Sequence, residues 1–245
     1  MKDENAWILE VARRVLKWES LKGDARSEHP FLRLQSMSVY LCHSTHLTNP
    51  CSQTHPIDDE HLPIFEDNTF TPKKIDLCLS FSDEHPDVQQ HYDDLDALSV
   101  ERVQISQMED DYSSTQALFM GVEVKRQGEK ETDAQSQLFT WLAAGVIHLR
   151  KIRSPDSQLP NLPLLGWTVV GHEWKLYAAY GEGDKAGDTI RILGPLNMEY
   201  GNTRGLKGIF QLLKLMQRLK TWGEATYWPW FTEHILKRVL DEMRY

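Results

Sequence analysis

The sequence predicts an α/β domain, because helical and strand periodicities alternate along the chain. In order, they indicate a helix, a strand, an acidic segment, a second strand, a helix, three short strands and further helices. Hydrophobic residues make up 40% of the 245 positions and charged residues 26%, which is enough apolar surface for a sizeable core. We expect one domain over residues 1–245, with an acidic insertion at about 82–116.

Charge and cysteine content exclude several classes of protein. The 27 Lys and Arg residues against 36 Asp and Glu give a formal charge of −9, so the chain does not coat nucleic acid over its whole surface. No apolar run approaches the roughly 20 residues that span a bilayer, and the polar start, Met1 to Asn5, lacks the apolar core of a signal peptide. Three cysteines give no disulfide framework, so we expect an intracellular protein, nuclear or cytoplasmic.

The first half of the chain carries one clear helix and one clear strand. Glu4 to Leu21 predicts a helix, because apolar residues recur three or four positions apart. Lys73 to Phe81 alternates in the manner of a strand, which puts Asp76 on the face opposite the large hydrophobic side chains. Ser82 to Gln116 is rich in acidic residues, and we expect a solvated, partly ordered insertion with a helix near Asp94 to Gln107.

The second half alternates strand and helix signals more regularly. Ala117 to Lys125 predicts a buried strand, and Ala134 to His148 an amphipathic helix. Three short strands follow, the last two as a hairpin with a long tip, and two helices come after them. The predicted strands are Gly166 to Val170, Glu173 to Tyr180 and Thr189 to Leu193, and the predicted helices are Leu206 to Trp222 and Ile235 to Met243.

Charged side chains on two of these strands suggest a metal site. Glu123 and Lys125 lie two residues apart and share one face of their strand. Because consecutive strands are usually neighbours, Asp76 is expected beside them. The two carboxylates, with the Val124 carbonyl, would hold Mg²⁺ or Mn²⁺ through oxygen. Lys125 would orient the attacking water or stabilise the transition state of a phosphodiester hydrolysis. Such a short pattern also arises by chance, with no chemical role.

A second metal site is suggested by the spacing Cys42-x3-His46-x4-Cys51-x3-His55. Two thiols and two imidazoles could bind Zn²⁺ tetrahedrally. The alternative interpretation is a merely His-rich stretch, because the spacing matches no common zinc finger.

From Glu4 to Phe231 the chain resembles the PD-(D/E)XK nuclease superfamily, and more narrowly its fungal nuclease-like domain proteins. The resemblance implies a restriction-endonuclease-like core, in which helices flank a mixed central β-sheet. It rests on Asp76, Gly121 to Lys125, Gln137 to Ala144, Gly171 to Trp174 and Trp228 to Phe231, the last two segments being the most specific.

The resemblance also implies residue roles. Asp76, Glu123 and Lys125 match the signature acid, second acid and lysine, with Mg²⁺ or Mn²⁺ as cofactor. Glu10 of the first helix matches an acidic residue that joins the metal site; the alternative is a helix-surface pair with Arg14 at i+4.

Gln137 matches a glutamine that follows the lysine strand in exonuclease-like members of the superfamily. Trp141 stands four residues later, where a tyrosine is more usual. The resemblance implies a catalytic role for Gln137, and the alternative is a residue on the helix surface.

Two functions therefore stay open. The first is a metal-dependent nuclease with DNA or RNA as partner, acting as a monomer or a homodimer. The second is a catalytically inactive or repurposed nuclease-fold module in protein interaction or another specialised fungal role. The three retained signature residues favour the first, and the acidic balance favours the second.

Overall fold

A six-stranded mixed β-sheet organises the protein, for which a computed structural model describes residues 11–16, 32–36, 57, 74–98, 103–153, 162–182, 189–196 and 201–243. The strands lie side by side in chain order, antiparallel throughout except that β3 is parallel to β4. They are β1 (Leu32–Ser36), β2 (Leu77–Phe81), β3 (Leu118–Lys125), β4 (Leu164–Val170), β5 (Glu173–Gly181) and β6 (Ile190–Leu193).

Helices connect and flank the strands. Residues 11–16 are helical, and the labelled helices are α1 (Pro86–Leu98), α2 (Glu131–Ile152), α3 (Leu206–Trp222), α4 (Trp228–Phe231) and α5 (Lys237–Met243). From α3 onward the chain stays helical, with π-helical turns before α4 and before α5. Within the described ranges, none of the helices is long and apolar enough to cross a bilayer.

Helix α2 is the crossover that makes β3 and β4 parallel, and it packs very closely on the sheet. A Cβ on Gly121 would lie 2.7 Å from the Trp141 ring, and one on Gly166 would lie 2.6 Å from Leu138. Both glycines are therefore needed for the approach of the helix rather than for backbone conformation. They show that Gly121 and its partner Gly166 face α2.

An aromatic cluster joins the C-terminal helical run to β2 and β3. Phe81 lies 4.6 Å from Trp228 between ring centroids, and Phe119 lies 5.8 Å from Tyr227. Phe231 completes the cluster, and its ring is also buried. These contacts bury large apolar surfaces at the end of β2 opposite to Asp76.

Most predicted elements of the second half are confirmed. Helix α3 has the predicted bounds, and β5 and β6 pair as the predicted antiparallel hairpin. Helix α2 is longer than predicted at both ends, because its acidic first turn and basic last turn complement the helix dipole. The predicted final helix, Ile235 to Met243, is the end of a longer helical run that continues from α3 through Gly223 and Pro229.

The segment predicted as a solvated acidic insertion is partly buried in the residues that the structure describes. Its helix is Pro86–Leu98, not Asp94 to Gln107. Val88, Tyr92 and Leu95 recur at helical spacing and are buried, whereas the acidic residues lie mainly on the outer face. The many charged residues around these three positions made the apolar stripe difficult to recognise in the sequence.

Tyr92 ties the insertion to the strands on either side of it. Its hydroxyl accepts a hydrogen bond from the backbone N–H of Ala117 at 3.0 Å and donates one to the carbonyl of Phe81 at 3.4 Å. These two residues are where the chain leaves β2 and enters β3. The insertion is therefore anchored at its base.

Some predictions fall on residues outside the described ranges. They include Glu10 and the zinc ligands Cys42, His46, Cys51 and His55. Of the first helix, residues 11–16 are helical as predicted, and Ala12 and Leu16 are its most buried side chains there.

Replacing Gly121 with alanine should destabilise the protein by about 2 kcal/mol, because the new methyl would overlap the Trp141 ring. Urea unfolding of the two proteins measures the difference. Gly205→Ala is the control, because a Cβ there meets no atom within 4 Å, and it should cost no more than about 1 kcal/mol, which is the lower preference for alanine at the N-cap of α3. Equal costs for the two variants would contradict the close packing of α2.

Candidate active site

Asp76 lies at the point where β2 meets β3, directly before the first residue of β2. Its Oδ2 accepts a hydrogen bond from the backbone N–H of Val124 at 2.8 Å. The β2–β3 ladder pairs Leu77 with Val122, and the same register continued by one residue places Asp76 opposite Glu123. The side chain of Asp76 thus takes the place of the next ladder acceptor, and its carboxylate lies beside the Glu-Val-Lys segment.

Glu123 and Lys125 form a buried ion pair on one face of β3. Lys125 Nζ lies 2.8 Å from Glu123 Oε1, and the side chains are 13% and 1% exposed. Alternation along the strand places both on the face of Gly121, which α2 covers. With Asp76, which is 3% exposed, the structure brings together the three predicted signature residues.

The same face continues across β4 and β5. Glu123 is the register partner of Thr168, and Thr168 is the register partner of Lys175. Directly opposed residues on neighbouring strands project to the same face. A carboxylate, a hydroxyl and an ammonium group therefore stand in one row across three strands.

The first turns of α2 contact the Lys175 end of this row. Lys175 Nζ donates to both carboxylate oxygens of Glu131 at 2.6 Å. Gln135 Nε2 donates to Glu131 Oε1 and to the Tyr177 hydroxyl, each at 3.0 Å. Helix α2 is therefore held against β5 by polar contacts as well as by packing.

Comparison with protein families bears on this site. The model of the PD-(D/E)XK nuclease superfamily matches residues 1–228, which include Asp76 and the Glu-Val-Lys segment. The chain belongs to the PD-(D/E)XK nuclease superfamily. Comparison with curated proteins and with solved structures gives no match. The narrower fungal grouping stays a prediction.

The mixed sheet with flanking helices is the restriction-endonuclease-like architecture predicted for a PD-(D/E)XK nuclease. In this protein the two predicted signature acids, Asp76 and Glu123, come from the adjacent ends of β2 and β3, which the insertion separates in sequence. The resemblance inferred from the sequence is thereby confirmed at the level of superfamily and fold.

The donors of the site suit a hard divalent cation, because Asp76 and Glu123 present carboxylate oxygens, which such cations prefer as ligands. Both side chains are buried. In the described part of the chain, no three His, Cys, Asp or Glu side chains converge as a complete metal site. The Val124 carbonyl and Glu10 stay predicted as further ligands, and Glu10 lies outside the described residues.

Cys78 lies near the acids but is not a candidate nucleophile. It pairs with Gly121 in the ladder, and burial raises the pKa of its thiol far above the ordinary value, with a further contribution from the charge of Asp110. The thiol therefore stays protonated, and a protonated thiol is a poor nucleophile and metal ligand.

Gln137 is half-buried on α2, and its side chain makes no hydrogen bond to any residue that the structure describes. Gln135 of α2 faces β5, and Trp141 faces Gly121 of β3. At about 100° per residue, Gln137 lies next to Trp141 around the helix, so it is on the side of α2 nearer β3. Its predicted catalytic role stays a prediction. Thr168 and Lys175 could not be identified from the sequence, because only the β3–β4 and β4–β5 registers place them on the face of Glu123. Glu131 and Gln135 are identified only by their contacts with β5.

Removing only the ammonium of the buried pair should destabilise the protein. Lys125→Met leaves the Glu123 carboxylate buried without that partner, and we expect a loss of about 3 kcal/mol in urea unfolding at neutral pH. The double variant E123Q/K125M should lose less, because it contains no buried charge at these positions.

An exposed ion pair serves as the control for this experiment. Lys237→Met breaks the solvent-exposed contact with Glu233 and should leave the free energy of unfolding almost unchanged. If K125M and E123Q/K125M were equally unstable, the coupling between the two charges would be negligible and the prediction would be wrong.

Proposed function

We propose that this PD-(D/E)XK protein is a Mg²⁺- or Mn²⁺-dependent nuclease that hydrolyses phosphodiester bonds of DNA or RNA. The single observation that carries the proposal is the hydrogen bond from Val124 N–H to Asp76 Oδ2. It fixes one signature carboxylate beside the strand segment that carries the other carboxylate and the lysine.

Asp76 and Glu123 would hold the cation, with the Val124 carbonyl and Glu10 as further ligands. A divalent cation bound there would supply charge neutralisation at a phosphoryl oxygen and a lowered pKa for a bound water. Both carboxylates come from strands in the middle of the sheet, so their positions depend on packed backbone rather than on a loop.

Lys125 would act on the reacting phosphate. Its ammonium contacts Glu123 and is the most exposed of the three signature side chains. When a phosphodiester enters, the ammonium can donate a hydrogen bond to a non-bridging phosphate oxygen or to the attacking water. The water oxygen would form the new P–O bond and give up a proton to solvent, while the bond to the leaving oxygen breaks and that oxygen takes up a proton from solvent.

Positively charged side chains next to the site would assist binding of the polyanion. Lys74 is exposed two residues before Asp76, and Arg126 follows Lys125 and is half-exposed. Lys175 lies on the same sheet face at the other end of the row and is 33% exposed. Contacts with phosphates along one strand are independent of sequence, and they weaken as salt is raised.

The test is cleavage of labelled single- and double-stranded DNA and RNA with Mg²⁺ or Mn²⁺, and with chelator. Wild-type protein should cleave at least one substrate in a metal-dependent manner. Asp76→Asn and Glu123→Gln should each lower the rate by at least about a hundredfold, because each removes a carboxylate ligand.

Glu242→Gln is the matched control. Glu242 lies on α5 and pairs with Arg238 rather than with the signature residues or the basic side chains named above, so this variant should cleave like wild type. Cleavage that is equal in wild type, Asp76→Asn and Glu123→Gln would overturn the proposal. A complete lack of cleavage with every substrate would favour the repurposed, non-catalytic module.

A further inference from the structure

Thr168 has a buried hydroxyl that the fold does not use. Thr168 is 1% exposed and lies in β4, which otherwise consists of apolar residues and one glycine. Its Oγ1 is buried and has no hydrogen-bond partner among the described residues. Valine has nearly the same shape and favours strands equally well, so packing alone gives no reason for a hydroxyl here.

The position of Thr168 gives that hydroxyl a neighbour with matching chemistry. In the parallel β3–β4 register Thr168 stands directly opposite Glu123, on the face that α2 covers. Adjacent strands lie about 4.8 Å apart, which is within the reach of a glutamate side chain. A hydroxyl can donate to a carboxylate oxygen, and such charge-assisted hydrogen bonds are strong in a buried environment.

The Lys125 ammonium lies 2.8 Å from the Glu123 carboxylate and is one of its partners. A carboxylate that binds a cation and a lysine that turns to a phosphate must separate from each other, at least in part. Glu123 then needs another donor on its own sheet face to keep one orientation. The Thr168 hydroxyl is a donor on that face, and it has no hydrogen-bond partner among the described residues.

We propose that Thr168 is a positioning residue for the divalent-metal site, and that its hydroxyl donates to the Glu123 carboxylate in the metal-bound protein. This inference rests on the proposed function, because it assumes that Asp76 and Glu123 bind a cation. Partners of metal ligands fix the orientation of those ligands, and their loss typically weakens metal binding by 10- to 100-fold.

The experiment measures Mn²⁺ binding to the full chain by titration calorimetry, together with thermal unfolding without metal. Thr168→Val should weaken Mn²⁺ binding by about tenfold and leave the midpoint of metal-free unfolding unchanged or higher, because the lost hydroxyl made no hydrogen bond there. Thr168→Ser, which keeps the hydroxyl, should bind Mn²⁺ within about twofold of wild type.

Thr140→Val is the matched control. Thr140 is also 1% exposed, but its hydroxyl donates to the Ser136 carbonyl at 2.9 Å. This variant should lower the unfolding midpoint without changing Mn²⁺ affinity. A purely structural role of Thr168 would give the same pattern in Thr168→Val, and that result would overturn the proposal.

The outcomes separate this inference from the proposed function. If wild type does not bind Mn²⁺, the proposed metal site fails, and the role of Thr168 fails with it. If wild type and Thr168→Val bind Mn²⁺ equally, only the role of Thr168 is overturned. Should Thr168→Val not fold, Thr168→Ser and Thr168→Ala differ at the hydroxyl alone, and equal Mn²⁺ affinities of these two variants would overturn the proposal.

Discussion

One hydrogen bond determines where the acidic residues of this protein meet. Val124 N–H would face an empty position once the β2–β3 ladder ends at Leu77, and Asp76 supplies the missing acceptor. A buried backbone donor without a partner is costly, so this contact has a structural reason that does not depend on any ligand. The same contact fixes the Asp76 carboxylate beside Glu123. Stability of the sheet and geometry of the site are therefore linked at one atom pair.

The row formed by Glu123, Thr168 and Lys175 shows how the sheet extends the candidate site across three strands. Thr168 and Lys175 come from β4 and β5, and Glu131 from the first turn of α2. Two glycines bring α2 close enough to cover this face, so Glu123 and Thr168 are buried whereas Lys175 is 33% exposed. Low dielectric strengthens the electrostatic interactions at the buried end of the row.

The sequence was informative where local periodicity and chemistry agree. Alternation on β3 placed Glu123 and Lys125 on one face, and the apolar stripe of α3 gave its bounds. The bounds of the helix and the buried side chains of the acidic insertion were not predicted, because Val88, Tyr92 and Leu95 are a minority among charged neighbours, although their spacing is helical. Thr168 and Lys175 could not be found, because an isolated threonine in an apolar strand gives no signal until the register of β3, β4 and β5 is known.

Tyr92 has a consequence for how the two halves of the site are kept together. Its hydroxyl hydrogen-bonds to the last residue of β2 and to the residue before β3, so it holds together the two ends of the segment that connects these strands. Bringing these two ends together costs conformational entropy, and that cost grows only slowly with the number of residues in the connecting segment. Evolution could therefore lengthen or rewrite the outer part of the excursion while the spacing between the two acids stayed the same.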